Sequence, residues 1–176
     1  MLPRQVRNLV FIDEAGVHLG MTRLWARAHQ GKRAVDAVPR NRGTNVSLIG
    51  ALSFDGLIAS MTLNGSVDTL AFLSYITEVL APQLWVGAIV VMDNLKVHHA
   101  YSVRTAIESV GARVVFLPPY SPDLSPIELC WSKLKQFLRS QAARTYETLN
   151  QATTSAVNAI TVDDAIGWFN HCGLFT

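Results

Sequence analysis

The sequence predicts an α/β domain in which an antiparallel β-meander comes first, strands alternating with helices follow, and helices close the chain. Three observations carry this prediction. Apolar runs too short for helices, among them Asn8–Asp13 (NLVFID), Ala88–Asp93 (AIVVMD) and Arg113–Leu117 (RVVFL), read as buried strands. Between and after them the apolar spacing changes to helical period. Two of the strands, separated by a crossover helix, deliver an Asp at their carboxyl ends, where open α/β sheets gather functional groups.

The elements follow in order. Asn8–Asp13 is the first strand, with Gly16 and Gly20 in the turn beyond it. Leu24–Ala28 (LWARA) alternates and predicts a second strand, with Trp25 packed in the core or hairpin. Gly31–Gly43, polar and basic around Pro39, predicts the hairpin loop. Asn45–Ser53 is a third strand, and the Asp55-Gly56 turn returns the chain as Leu57–Leu63. A helix starts at Ser66 and runs to about Leu80, with Leu70, Leu73, Ile76 and Leu80 as its apolar stripe and Pro82 as its stop. Tyr101–Val110 is a helix with Val103, Ile107 and Val110 inward, ended by Gly111. Four of the seven prolines fall between Pro118 and Pro126 and stiffen the loop before a helix over Pro126–Gln141. Helices over Tyr146–Ile160 and Val162–Asn170 complete the chain.

At 176 residues, 49% apolar and 16% charged, the chain suits one domain with a sizeable core and excludes global disorder. The net charge is only +2, yet residues 1–42 hold eight basic residues against three acidic ones. Arg4, Arg7, Arg23, Arg27, Lys32, Arg33, Arg40 and Arg42 form a basic front segment able to bind phosphates, or simply a solvated positive edge. Cys130 and Cys172 show no metal-ligand or CxxC spacing and fit a reduced cytoplasmic protein. Neither a signal peptide nor a membrane-spanning run is present in the sequence, so a soluble, intracellular protein is expected.

Three carboxylates stand out. Asp13 and Asp93 close apolar strands, where a charge is costly unless solvated, paired or bound to a metal. On neighbouring strands their backbones are about 4.8 Å apart, and one pKa rises unless cations intervene. Glu128 stands in Ser125-Pro126-Ile127-Glu128, which fits a capping box with Ser125 as N-cap and Pro126 at the first helical position. Ile127, Trp131, Leu134 and Leu138 form that helix's buried stripe, while Glu128, Ser132, Lys135 and Arg139 share an adjacent flank. Oxygen-only ligands suit Mg²⁺ or Mn²⁺, and two such ions about 3.5–4 Å apart serve phosphodiester chemistry by activating the attacking oxygen and stabilising the leaving one. Lys135 and Arg139 on the same flank suit a phosphate, or are solvated surface charges.

Three segments together resemble the catalytic domain of mariner-like bacterial insertion-sequence transposases of the DDE superfamily: FIDEAGVHL (Phe11–Leu19), VVMDNLKVHHA (Val90–Ala100) and LPPYSPDLSPIELCWSKLK (Leu117–Lys135). The 34 residues between Asp93 and Glu128 are the spacing of the D-D-x34-E subgroup. The resemblance covers essentially the whole chain. It implies a ribonuclease H-like fold, Asp13, Asp93 and Glu128 as catalytic residues and metal ligands, two Mg²⁺ or Mn²⁺ ions, and nicking and joining of strands at transposon ends without a covalent enzyme intermediate. Asn94, His98 and Asp123 match motif positions without being ligands. Asn94 and His98, with Lys135 and Arg139, are candidates for groups supporting the ligands or touching DNA phosphate, and His98 equally for a satisfied structural histidine. Ser125 departs from the family's usual Asn. Implied partners are transposon-end and target DNA, further copies of the chain, and a separately encoded N-terminal half, because the helix-turn-helix region of the family has no counterpart here.

On this reading residues 1–176 form one catalytic domain. Three alternatives compete: a generic ribonuclease H-like nuclease, an inactive remnant that only binds DNA or partner subunits, and a doubly wound phosphotransfer domain, which the early meander opposes. The leading reading requires the three carboxylates to converge on one accessible site bordered by the basic front segment.

Overall fold

Leu9–Val17 forms β1 and runs four residues past Asp13, because Val46–Ser53 (β2) pairs antiparallel with it from Val10↔Ser53 to Val17↔Val46. The computed structural model describes residues 5–119 and 121–175, so Arg4 and Tyr120 lie outside the described residues. Gly56–Asn64 (β3) returns antiparallel along β2 through the Asp55-Gly56 turn, where Gly56 takes a positive φ of 112°. Ile89–Met92 (β4) and Arg113–Phe116 (β5) add on the other side of β1, each parallel to its neighbour. The five-stranded sheet has the order β3-β2-β1-β4-β5.

Side-chain alternation splits the core into two layers. Val10, Ile12, Ile49, Val90 and Met92 face Phe72, Tyr75, Ile76, Leu80, Val103 and Ile107. These come from α1 (Thr69–Ser74), the π-helical turn Tyr75–Leu80 that continues it, and α2 (Tyr101–Ser109). Phe11, Ala15, Leu48, Leu52 and Val91 face the opposite layer. That layer is built by α3 (Pro126–Gln141), α4 (Tyr146–Asn158) and α5 (Val162–His171). The stripe Ile127, Trp131, Leu134 and Leu138 is buried as the periodicity predicts. Among the described residues no helix is long and apolar enough to cross a membrane.

Four expectations are corrected. Leu24–Ala28 forms no strand, and Trp25 is 89% exposed rather than packed in a core or hairpin. Both edges of β1 are already taken, by β2 and β4, so an alternating segment there has no ladder to join. The chain from residue 18 to 45 instead crosses the surface without regular structure, pinned where Arg144 donates to the carbonyls of Leu19 and Met21. The helix expected from Ser66 starts later, because Asp68 caps it by accepting from the Ala71 amide at 2.8 Å. Phe72 of α1 and Ile76 and Leu80 of its π-helical continuation point inward, while Leu70 is 73% exposed. Finally, β5 is a half-exposed edge strand, with Arg113 and Val115 facing solvent.

Candidate active site

Register brings the two strand aspartates together. Phe11 pairs with Val91 in the parallel β1–β4 ladder, so two residues further on Asp13 and Asp93 stand level on the face shared with α3. Asp13 is not at a strand end, because β1 continues beyond it; Asp93 directly follows β4. Glu128 enters from the first turn of α3. Asp13, Asp93 and Glu128, with Asn94, Ser125 and the prolines of the loop after β5, line one open cleft of about 450 Å³.

The capping box expected at Ser125 does not form. Ser125 occupies the N-cap position with Pro126 following, yet its hydroxyl makes no capping bond; the Glu128 amide bonds to the Ser125 carbonyl at 3.2 Å. Reciprocal boxes do form at Thr145/Thr148 and Thr161/Asp164. The Glu128 carboxylate is therefore not engaged in capping its own helix, and it faces the cleft.

Burial pushes the Asp13 carboxyl up to about 7, and repulsion from Glu128 and Glu14 adds to it. The Glu14 amide and the Trp131 indole, which donates to Asp13 Oδ2 at 2.9 Å, pull the other way without offsetting it. Among the described residues, neither Asp13 nor Glu128 pairs with a lysine, arginine or histidine.

Asp93 has a different environment. Its Oδ1 contacts His98 Nδ1 at 2.7 Å and accepts the Leu95 amide at 3.0 Å. The opposite ring nitrogen, Nε2, lies 3.0 Å from Glu14 Oε1. His98 is only 1% exposed and packs on Phe72 with ring centroids 4.4 Å apart. Burial alone lowers its proton affinity, but the hydrogen bond and charge of Glu14, and then Asp93, raise it above the ordinary imidazole value. A continuous chain thus runs from Glu14 on one face of the sheet through His98 to Asp93.

Glu14 is the participant that sequence reasoning missed. It adjoins Asp13, but alternation points it into the opposite layer with Val10 and Ile12. A charge on an inward face demands a partner, and that was the available signal. Its Oε2 is buried without a hydrogen-bond partner. Asn94 lines the cleft and donates to the Leu117 carbonyl, tying the end of β4 to the end of β5. Lys135 and Arg139 are half-buried and do not line the cleft. Arg139 instead borders a neighbouring cavity with Ser132 of α3 and Arg23 and Trp25 of the surface segment. Part of the basic front segment thus lies along the same helix flank as Glu128.

The donor set fits a hard divalent cation: three carboxylates on one accessible cleft, one of them half-buried, repelled by its neighbours and lacking a counter-charge. As placed, no group of three His, Cys, Asp or Glu among the described residues is gathered closely enough to hold an ion. Binding three-sidedly therefore requires the carboxylates to draw together.

A mixed sheet that carries two level aspartates and faces them with a helix-borne glutamate defines a DDE-type endonuclease domain. Residues 8–150 match the family described as DDE superfamily endonuclease, and the chain belongs to that family. Its fold is that of the Mos1 transposase catalytic domain, which is ribonuclease H-like. It superposes on the Mos1 mariner paired-end complex with Mn at a TM-score of 0.79 and 20% identity, covering 95% of this chain and 53% of that one. For the Mos1 strand transfer complex the values are 0.77, 20%, 97% and 53%. For the isolated Mos1 catalytic domain they are 0.72, 17%, 95% and 78%. The chain thus spans about half the length of the Mos1 protein in those complexes. Among curated proteins none matches significantly.

Proposed function

We propose that this chain is the catalytic domain of a metal-dependent transposase that nicks DNA at transposon ends and joins the freed strands to a target. The convergence of Asp13, Asp93 and Glu128 on one open cleft carries this reading. Family membership and the likeness to Mos1 in complexes with transposon ends and with Mn support it. Asp13, Asp93 and Glu128 would hold two Mg²⁺ or Mn²⁺ ions. Bound there, the ions supply activation of the attacking oxygen and stabilisation of the leaving oxygen.

The chain's own residues prepare that chemistry. His98, held by Glu14, orients Asp93. Asn94 ties the β4 end to β5. Arg23 and Arg139, on the flank that leads away from Glu128, offer positive charge to DNA phosphates. Lys135 on the same flank adds to it. DNA affinity should accordingly fall steeply with salt. Assembly with further copies on DNA, a bacterial insertion-sequence source and a cytoplasmic setting extend the reading; the motif resemblance supports the first two and the two free cysteines the last.

A strand-joining assay tests this function. Oligonucleotides carrying pre-cut transposon ends are incubated with supercoiled plasmid and Mn²⁺, with a helix-turn-helix half supplied in trans. Joined products that disappear in Glu128→Gln support the transposase. Plasmid nicking without joining identifies a generic nuclease. DNA binding with neither reaction identifies an inactive remnant.

A further inference from the structure

Trp131 sits where helical periodicity expects a core residue, and 2% exposure confirms that it is one. Packing does not account for the rest of its surroundings. A buried indole N–H needs an acceptor. Here the acceptor is a carboxylate in the candidate active site, Asp13 Oδ2, 118 residues away in sequence. The neighbouring strand is shaped to allow this. Gly50 pairs directly with Asp13 across the β1–β2 ladder, in the middle of a strand that is buried at every position. A Cβ on Gly50 would lie 2.5 Å from Trp131 Cη2 and 3.2 Å from Cζ2, so any other residue there would displace the ring. Gly50 has no positive φ to justify it, and glycine inside a strand costs stability. The close approach of the indole is the reason for its presence. A smaller apolar residue at 131 facing an ordinary residue at 50 would fill the same volume without reaching Asp13.

We propose that Trp131 is a positioning residue for Asp13, with Gly50 as the cut-out in the sheet that lets the indole reach the carboxylate. The proposal rests on the metal-dependent reading above. One helix then sets two of the three carboxylates, because Glu128 precedes Trp131 by three residues, one turn away on α3. Docking the α3 stripe fixes Glu128 at the cleft and, through the same backbone, fixes the orientation of Asp13. Helix packing thus sets the direction from which both side chains reach the cleft, before an ion draws the carboxylates together. Groups that orient ligating carboxylates in this way are worth about 10–100-fold in metal affinity.

The test is Mn²⁺ binding to the DNA-free protein by calorimetry, alongside thermal unfolding of the metal-free form. Trp131→Phe keeps an aromatic ring and removes the N–H; Gly50→Ala keeps the N–H and moves the ring. Each variant should bind Mn²⁺ about tenfold more weakly or worse, and the Mn²⁺ needed for half-maximal plasmid nicking should rise in parallel. Adding Gly50→Ala to Trp131→Phe should cost little further affinity, because no N–H remains to displace. A purely structural role predicts lower melting temperatures with unchanged Mn²⁺ affinity, and that result overturns the proposal. If Trp131→Phe fails to fold, Gly50→Ala decides alone by the same criterion. A wild-type protein that binds no Mn²⁺ overturns the functional reading and this inference with it; binding that both variants retain overturns the inference alone.

Discussion

Asp13 and Asp93 stand level on adjacent parallel strands, but the fold treats them differently. Asp93 lies just past its strand, with its side chain 45% exposed, and its Oδ1 contacts His98, whose ring Glu14 holds in place. Asp13 lies within its strand, half-buried, with one indole donor and two repelling carboxylates, and its carboxyl is pushed up to about 7. The difference shows where the metal-free protein stores unfavourable energy. One aspartate is oriented by a buried histidine; the other is repelled by two neighbouring carboxylates. On the proposed function, a divalent ion would gain most on the Asp13–Glu128 side of the cleft.

This contrast can be broken experimentally. The largest effect should come from His98→Ala, which leaves Glu14 buried without a counter-charge and Asp93 without its brace. Removing one partner of a buried pair costs about 3–5 kcal/mol, readable by urea unfolding. A loss below about 1 kcal/mol would show that the Glu14–His98–Asp93 chain does not hold the fold together. Next comes Asp13→Asn in metal-free buffer at pH 8. It should raise stability by a few kcal/mol, on the order of what moving a carboxyl from 3.8 to about 7 costs. No gain in melting temperature would mean that Asp13 is not electrostatically strained.

The pH profile sharpens the same point. Unfolded, Asp13 loses its proton near 3.8; folded, it keeps it to about 7. The folded state therefore binds more protons across that window, and stability falls as pH rises through it. The raised His98 acts in the same direction, its contribution being lost as pH climbs above 6.5 through its folded value. Metal-free melting temperature should thus decline from pH 5 to 8, and Mn²⁺ should flatten the decline. A profile that rises across this range contradicts the assignment of both groups. The smallest effect belongs to Asp93→Asn, expected to lower metal-free stability by about 1 kcal/mol, since half-exposed pairs contribute little. The opposite signs for Asp13→Asn and Asp93→Asn are the sharpest form of the comparison.

Much of this architecture was legible in the sequence where the signal is local. The helix over Pro126–Gln141 matches its predicted limits, because proline at its start and a clear apolar stripe define it. The strands carrying Asp13 and Asp93 were legible as short apolar runs, and their parallel pairing follows from the crossover between them. What stayed hidden depends on distance or on competition. Glu14 has its partner 84 residues away, and the indole of Trp131 reads as core until its N–H is seen at Asp13. The alternation in Leu24–Ala28 is a true pattern, but both sides of β1, the strand it follows, are already paired, by β2 and β4. Ser125 has the right residue type for a capping box, yet the backbone satisfies the first turn and Glu128 turns to the cleft.

The central claim is that Asp13, Asp93 and Glu128 form one divalent-metal centre for phosphodiester cleavage. Its most direct measurement is nicking of supercoiled plasmid by the wild-type protein and by Asp93→Asn, each with Mn²⁺ and with chelator. The wild type should nick in Mn²⁺ only, and the variant should lose on the order of 10³-fold or more, since several kcal/mol of transition-state stabilisation depend on the ligand set. Nicking that survives in Asp93→Asn or in chelator, or a folded wild type that never nicks, would contradict it.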